Sequence, residues 1–102
     1  MGILFKNGFK LKKKKEITVF DIRWTSENGN ITSLCNMNSV HLDNLHKWLL
    51  NHGPNRYHFT AKIVEAEKFR RVRGVYPDDY NQIIIFFISA KETNRLQVFA
   101  NI

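Results

Sequence analysis

The chain has one cysteine, two prolines and five glycines. Cys35 alone forms no internal disulfide, which points to a reducing compartment and a cytoplasmic location. The glycines are scattered among turns, and none of them builds a phosphate-cradling loop. No apolar run approaches the roughly 18 residues needed to cross a membrane; the longest uninterrupted one is Ile83 to Ile88. The first residues lack the order of a secretory signal, because Ile3-Leu4-Phe5 precedes the lysines instead of following them. Gly2 is not read as a myristoylation site, since Lys6 stands where that motif wants Ser or Thr. A membrane role is therefore the weakest of the readings.

Acid is absent from the first fifteen residues, and base is concentrated there. Lys6, Lys10, Lys12, Lys13, Lys14 and Lys15 account for six of the sixteen basic residues of a chain with net charge +7. Without that stretch, ten basic and nine acidic residues remain. The expectation is a cationic N-terminal arm over residues 1–15, with an extra hairpin at Asn7-Gly8 as one option. A single, nearly neutral domain follows over residues 16–102. Such an arm favours a polyanion or an acidic protein surface.

The hydrophobic fraction of 43% is that of a folded domain and too high for intrinsic disorder. At 102 residues one compact core forms without disulfide or metal staples. Glu16 to Trp24 reads as a strand, Asn28-Gly29 as a two-residue hairpin turn and Ile31 to Met37 as the return strand. This register sets Trp24 against Ser33, Ile22 against Cys35 and Phe20 against Met37. It turns the Cys35 thiol into the core, where it is inert. Ser39 to His52 reads as a helix, capped by Asn38 or Ser39 and stopped by Gly53-Pro54. Its stripe of Leu42, Leu45, Trp48 and Leu49 should lie on the sheet. Arg56 to Ala66 alternates apolar and polar residues and reads as a strand, although the alternation fails around Glu65 to Lys68. Arg70 to Tyr76 reads as its resumption, Pro77-Asp78-Asp79 as a turn, and Gln82 to Ala90 as a central strand apolar on both faces. Leu96, Val98, Ala100 and Ile102 alternate as a last strand. The expected fold is α+β, in the order β-β-α-β-β-β: an antiparallel sheet of about five strands with one helix packed on a face.

No catalytic residue, metal or cofactor is expected. His41, His46, His52 and His58 are five or six apart, whereas helical zinc pairs sit at i, i+4. Asp78 and Asp79 lack the acid-x-Lys strand that metal-dependent nuclease chemistry needs, and are ordinary in a Pro turn. Two basic clusters remain as nucleic-acid-binding candidates. One is Lys10 with Lys12, Lys13, Lys14 and Lys15, suited to phosphate neutralisation and counterion release. The other is Arg70, Arg71 and Arg73 interleaved with Phe69, which serves either phosphate contact and base stacking or a charge-guarded strand edge. Sharing a face would favour the first of these.

The leading expectation is a small non-catalytic binding protein that contacts nucleic acid or a nucleoprotein complex through the basic arm. The alternative is a protein–protein interaction module that forms a homodimer or a partner contact through Ile83 to Ile88. Asn, Ile and Lys make up 31 of the 102 residues. This bias accompanies AT-rich coding, and it suggests a phage- or mobile-element-encoded inhibitor of a host machine.

Overall fold

A computed structural model describes residues 19–53 and 55–101. Strand β1 (Val19–Thr25) is followed by strand β2 (Ile31–Ser33) and a 3-10 turn at Leu34–Asn36. Three helices come next, α1 (Ser39–Asn51), α2 (His58–Arg73) and α3 (Tyr80–Ala90), and then strand β3 (Leu96–Asn101). The three strands form one antiparallel sheet in the order β2-β1-β3, so β1 is central. The fold is α+β, but five strands with one helix is not what forms.

The two largest corrections share a cause. Tyr57, Phe59, Ala61 and Ile63 alternate as a strand would, yet this stretch lies in or beside α2. The buried set is Thr60, Ala61, Ile63, Val64, Ala66 and Glu67, which follows a helical period. The lapse in alternation at Glu65 to Lys68 is the helix declaring itself, and Ala61, Lys62, Glu65, Ala66 and Glu67 are good helix formers. The helix runs on through Arg73, where a strand had been expected to resume. Gly74 ends it in the left-handed region at φ +83°, which a side chain there would strain. The apolar run Gln82 to Ala90 lies in α3. A run of this kind fits a buried helix as well as a strand, and tertiary packing decides. Ile83, Ile84 and Phe87 are buried, while Ile85, Phe86 and Ile88 are half-exposed.

The first hairpin forms, with a register one residue from the expected one. Arg23 stands opposite Ser33, Trp24 opposite Thr32 and Thr25 opposite Ile31. The loop is three residues long: Gly29 N–H donates to Ser26 O at 3.0 Å and Ser26 N–H to Asn30 O at 2.9 Å, with Gly29 at φ +88°. This is a type I turn closed by a glycine bulge. A slip of one residue exchanges the faces of the return strand. Leu34 is buried and Cys35 is exposed, so the thiol is not in the core beside Ile22.

Helix α1 forms where the sequence places it. The Asn38 side chain accepts the His41 N–H at 2.8 Å as the cap, and Leu42, Leu45 and Leu49 are buried. Helix α2 packs against both α1 and α3. Together with the inward side chains Ile22, Trp24 and Leu96, the helices enclose one core. The opposite sheet face carries Asp21, Arg23, Gln97 and Phe99. There Arg23 pairs with Asp21 at 2.7 Å and lies over the Phe99 ring at 4.7 Å.

Candidate nucleic-acid interface

Of the expected contact residues, Lys10, Lys12, Lys13, Lys14 and Lys15 lie outside the described residues. Four peptide units separate Lys15 from Val19, a span of at most about 14 Å. The next residue, Phe20, lines a narrow cavity with Ile22, Leu34, Cys35, Ile63, Glu67, Tyr76 and Tyr80. That cavity, about 10 Å³, is at the lower limit for one water and holds no ligand-sized group. Strand β1 therefore opens on the side of the core where α2 carries Glu67 and α3 begins at Tyr80.

The last turns of α2 carry Arg70, Arg71 and Arg73, of which Arg70 and Arg71 close on a buried carboxylate. Glu67 is 2% exposed. Its Oε2 accepts from Arg70 Nη2 at 2.6 Å and from Arg71 Nε at 2.9 Å, and its Oε1 accepts the Tyr76 hydroxyl at 3.0 Å. Burial alone would raise the Glu67 pKa; the bonds from Arg70, Arg71 and Tyr76 outweigh it and hold the carboxyl below its ordinary value. Burial, then the neighbouring Glu67, raises the Tyr76 hydroxyl, and burial likewise raises Tyr80, whose ring stacks on Tyr76 at 4.0 Å.

The three arginines divide by exposure. Arg71 is turned inward: besides Glu67 it donates to the Leu34 and Met37 carbonyls and, at 3.3 Å, to the Ser39 hydroxyl. Its fork joins α2 to the segment between β2 and α1. Arg70 is partly exposed, and its guanidinium lies 5.5 Å from the Tyr76 ring centroid. Its bond to Glu67 raises its pKa further. Arg73 is exposed and lies over the half-exposed Phe69 ring at 5.4 Å. The structure thus leaves Arg70 and Arg73 accessible at the end of α2 and commits Arg71 to the fold.

Two further cations, Lys68 and Arg95, are engaged within the fold. Lys68 pairs with Asp43 at 2.9 Å and donates to His46 Nδ1 at 3.1 Å, which leaves Nε2 to donate to Glu65 at 3.2 Å. The bond from Lys68 holds Asp43 below its ordinary pKa. Arg95 lies over Trp24 at 4.5 Å and Trp48 at 5.3 Å while donating to the Thr25 carbonyl. His52 stacks on Trp48 at 4.1 Å. Among the described residues no three His, Cys, Asp or Glu side chains cluster to hold a metal, and no helix is long and apolar enough to cross a membrane.

Glu67 stands near enough in the sequence to be expected to pair with these arginines, and it does; the part of Tyr76 escaped the sequence reading because it depends on α2. Once 58–73 is a helix, Glu67 with Arg70 and Arg71 is an i, i+3, i+4 charge set and legible as such. Compared with known proteins, the chain matches no protein-family model, no curated protein and no solved structure.

Proposed function

We propose that this protein is a small, non-catalytic binding protein that holds nucleic acid, or a nucleoprotein complex, through Lys10 and Lys12 to Lys15. Arg70 and Arg73 extend the contact from the end of α2, and Arg71 holds that end in place. The observation that carries this reading is that Phe20, near the start of β1, lines one cavity with Glu67 and Tyr76. This reading takes the acid-free lysine run, which precedes β1 in the sequence, to act together with the arginines at that end of the fold. Phosphate contacts of this kind give affinity and little sequence preference, and Phe69 beneath Arg73 offers a stacking surface. The single cysteine fits action in the cytoplasm.

Fluorescence anisotropy with labelled single- and double-stranded DNA and RNA across a salt series tests it. Five lysine contacts give a log–log salt slope of about −4.5 on duplex DNA. Reversing Lys12, Lys13, Lys14 and Lys15 together to Glu should flatten the slope and remove binding. Affinity unchanged by that reversal, or no binding by the full chain at low salt, rejects the reading.

A second reading, a protein–protein interaction module, has one observation in its favour: Ile85, Phe86 and Ile88 on α3 are 53%, 46% and 53% exposed. Here the lysines steer the protein toward an acidic partner surface. The small size and Asn-, Ile- and Lys-rich composition fit a phage- or mobile-element-encoded inhibitor of a host machine.

A further inference from the structure

Both tryptophans of the chain stand in one cluster of aromatic and cationic side chains beside the start of α2, whereas Arg70 and Arg73 lie at its end. Trp24 and Trp48 meet edge to face at 6.2 Å, and the half-buried Tyr57 lies 5.6 Å from Trp48. The exposed His52 stacks on Trp48 at 4.1 Å. Its Nδ1–H donates to the Trp48 carbonyl at 2.8 Å, which holds the ring in that place. Arg95 lies over both indoles, 4.5 Å from Trp24 and 5.3 Å from Trp48. The exposed Arg56 lies 5.3 Å from the Tyr57 ring. Gly53, at φ +120°, makes the turn that returns these two residues to the cluster: Arg56 and Tyr57 both donate their N–H to its carbonyl, at 3.0 and 3.2 Å.

Packing accounts for the indoles but leaves the cations unspent. Arg23, Arg70 and Arg71 each pair with a carboxylate. Arg56 and Arg95 form no ion pair among the described residues. Arg95 commits Nε to the Thr25 carbonyl at 2.9 Å, and its two Nη groups find no acceptor among the described residues. Glu92, three residues before Arg95, spends both carboxylate oxygens on Phe59 and Thr60. A guanidinium fixed over aromatic rings with its Nη donors free suits a phosphate. A stack of rings that ends at an exposed one suits a nucleobase. Joined by these contacts, the two match the two parts of a nucleotide. An acidic peptide would use the arginines and leave the stack idle.

We propose that this cluster is a site for single-stranded nucleic acid, in which one base stacks on His52 above Trp48 and an adjoining phosphate takes the Nη groups of Arg95, with Arg56 at its flank. The bases of a duplex are stacked on one another and not free to do this, so the site favours single strands. The proposal rests on the nucleic-acid reading for its class of ligand. It adds a place and a preference for single strands, which phosphate contacts by the lysines do not supply.

Tryptophan emission of the full chain, titrated at low salt with the DNA tetranucleotide of adenine, is the test, because both tryptophans report on this cluster alone. The tetranucleotide should quench the emission, and a short duplex should quench it far less. His52→Ala should weaken binding about tenfold, within the range for losing one base stack. Arg56→Glu should also weaken it, and Arg95→Lys should as well, since it keeps the charge without the fork. Lys62→Glu, in the groove between α2 and α3, should leave it unchanged. Circular dichroism confirms that each variant is folded. In the Lys12 to Lys15 reversal, quenching should move to higher tetranucleotide concentration but reach the same end point. No quenching of the wild type overturns the proposal and leaves the arm reading standing if anisotropy still detects binding. Quenching indifferent to His52→Ala and Arg56→Glu overturns the cluster as the site. Equal quenching by the duplex overturns the stacked base, and quenching by tetraglutamate but not by the tetranucleotide overturns nucleic acid as the ligand. A reversal that abolishes quenching at every concentration overturns the cluster as a site of its own.

Discussion

Glu92 Oε1 accepts two hydrogen bonds from Thr60, one from its backbone N–H and one from its hydroxyl, each 2.8 Å long. The other oxygen accepts the Phe59 N–H at 2.9 Å. Helix α2 has no capping side chain of its own at Tyr57. The carboxylate that satisfies its first turn arrives from beyond α3, 32 residues away. It also places a negative charge at the positive end of the helix dipole.

Glu92→Ala should therefore lower stability by about 1–2 kcal/mol, the usual cost of losing a helix cap. Glu92→Gln keeps one acceptor oxygen and should cost less. Urea denaturation followed by far-ultraviolet circular dichroism measures both. A loss under a few tenths of a kcal/mol for Glu92→Ala would show that solvent replaces the cap.

Arg71→Ala should be among the most damaging single changes outside the apolar core. It removes one partner of the buried Glu67 and leaves two carbonyl oxygens, of Leu34 and Met37, without their donor. Breaking a buried pair from one side costs about 3–5 kcal/mol, and Arg70 and Tyr76 should hold the loss near the lower figure. Arg71→Lys should rescue little, because one ammonium does not reproduce a planar fork reaching several acceptors. Chemical denaturation compares the two. Full rescue by lysine would show that charge alone matters at this position.

Acid should unfold the protein through Glu67. Its folded-state pKa lies below the ordinary glutamate value. Its ionised form therefore stabilises the fold fully above the unfolded-state pKa, about 4.3, and this contribution is lost as pH falls through the depressed folded value. Asp21, held down first by its hydrogen bond from Arg23 and then by that from Ser33, acts in the same direction. Stability should be flat near neutral pH and fall below about pH 4. Glu67→Gln should be less stable at pH 7 but shallower in its decline below pH 4. Thermal melts between pH 2 and 7 check the slope; an equally steep acid limb in the variant would assign the loss to other carboxylates.

Ile84→Ala should cost about 2–5 kcal/mol, because Ile84 is fully buried. Asn81→Ala, on the exposed side of α3, should stay within about 0.5 kcal/mol. Equilibrium unfolding of the two variants tests the orientation of the helix. Similar costs at both positions would mean that this segment is packed in some other way.

The sequence shows its structure where a local signal has one meaning. Asn38 before a leucine stripe is a helix start and little else, and α1 forms there. The alternation of Leu96 and Val98 likewise gives β3. Ambiguity begins where one pattern serves two periods. Seven residues from Tyr57 to Ile63 alternate, but the span is too short to exclude a helix, and the Ile83 to Ile88 run has no period at all. In both places distant packing decides, against α1 and the sheet for α2 and against α2 for α3. Asn28-Gly29 marks a hairpin correctly but does not choose between a two-residue turn and a three-residue loop. That choice shifts the register by one residue, and because the strand ends at Ser33, Cys35 lies in the 3-10 turn and is exposed. Of the candidate site, the basic clusters are visible in the sequence. The division among the arginines is not, because Arg71 turns inward to Glu67, Leu34 and Met37 only once 58–73 is a helix.

The pairing of Trp24 with Leu96 closes a circuit of 72 residues. Its effect falls on folding rate more than on stability, since closure entropy grows only with the logarithm of loop length. The three helices and the β1–β2 hairpin draw on near neighbours and form early. During synthesis, β1 emerges well before β3 and waits with one edge of hydrogen-bonding groups bare. An unpaired edge of that kind is open to the wrong strand. The nascent chain is thus most exposed to misassembly in the interval before residues 96–101 leave the ribosome, and shortening that interval should raise the yield of folded protein more than strengthening any helix.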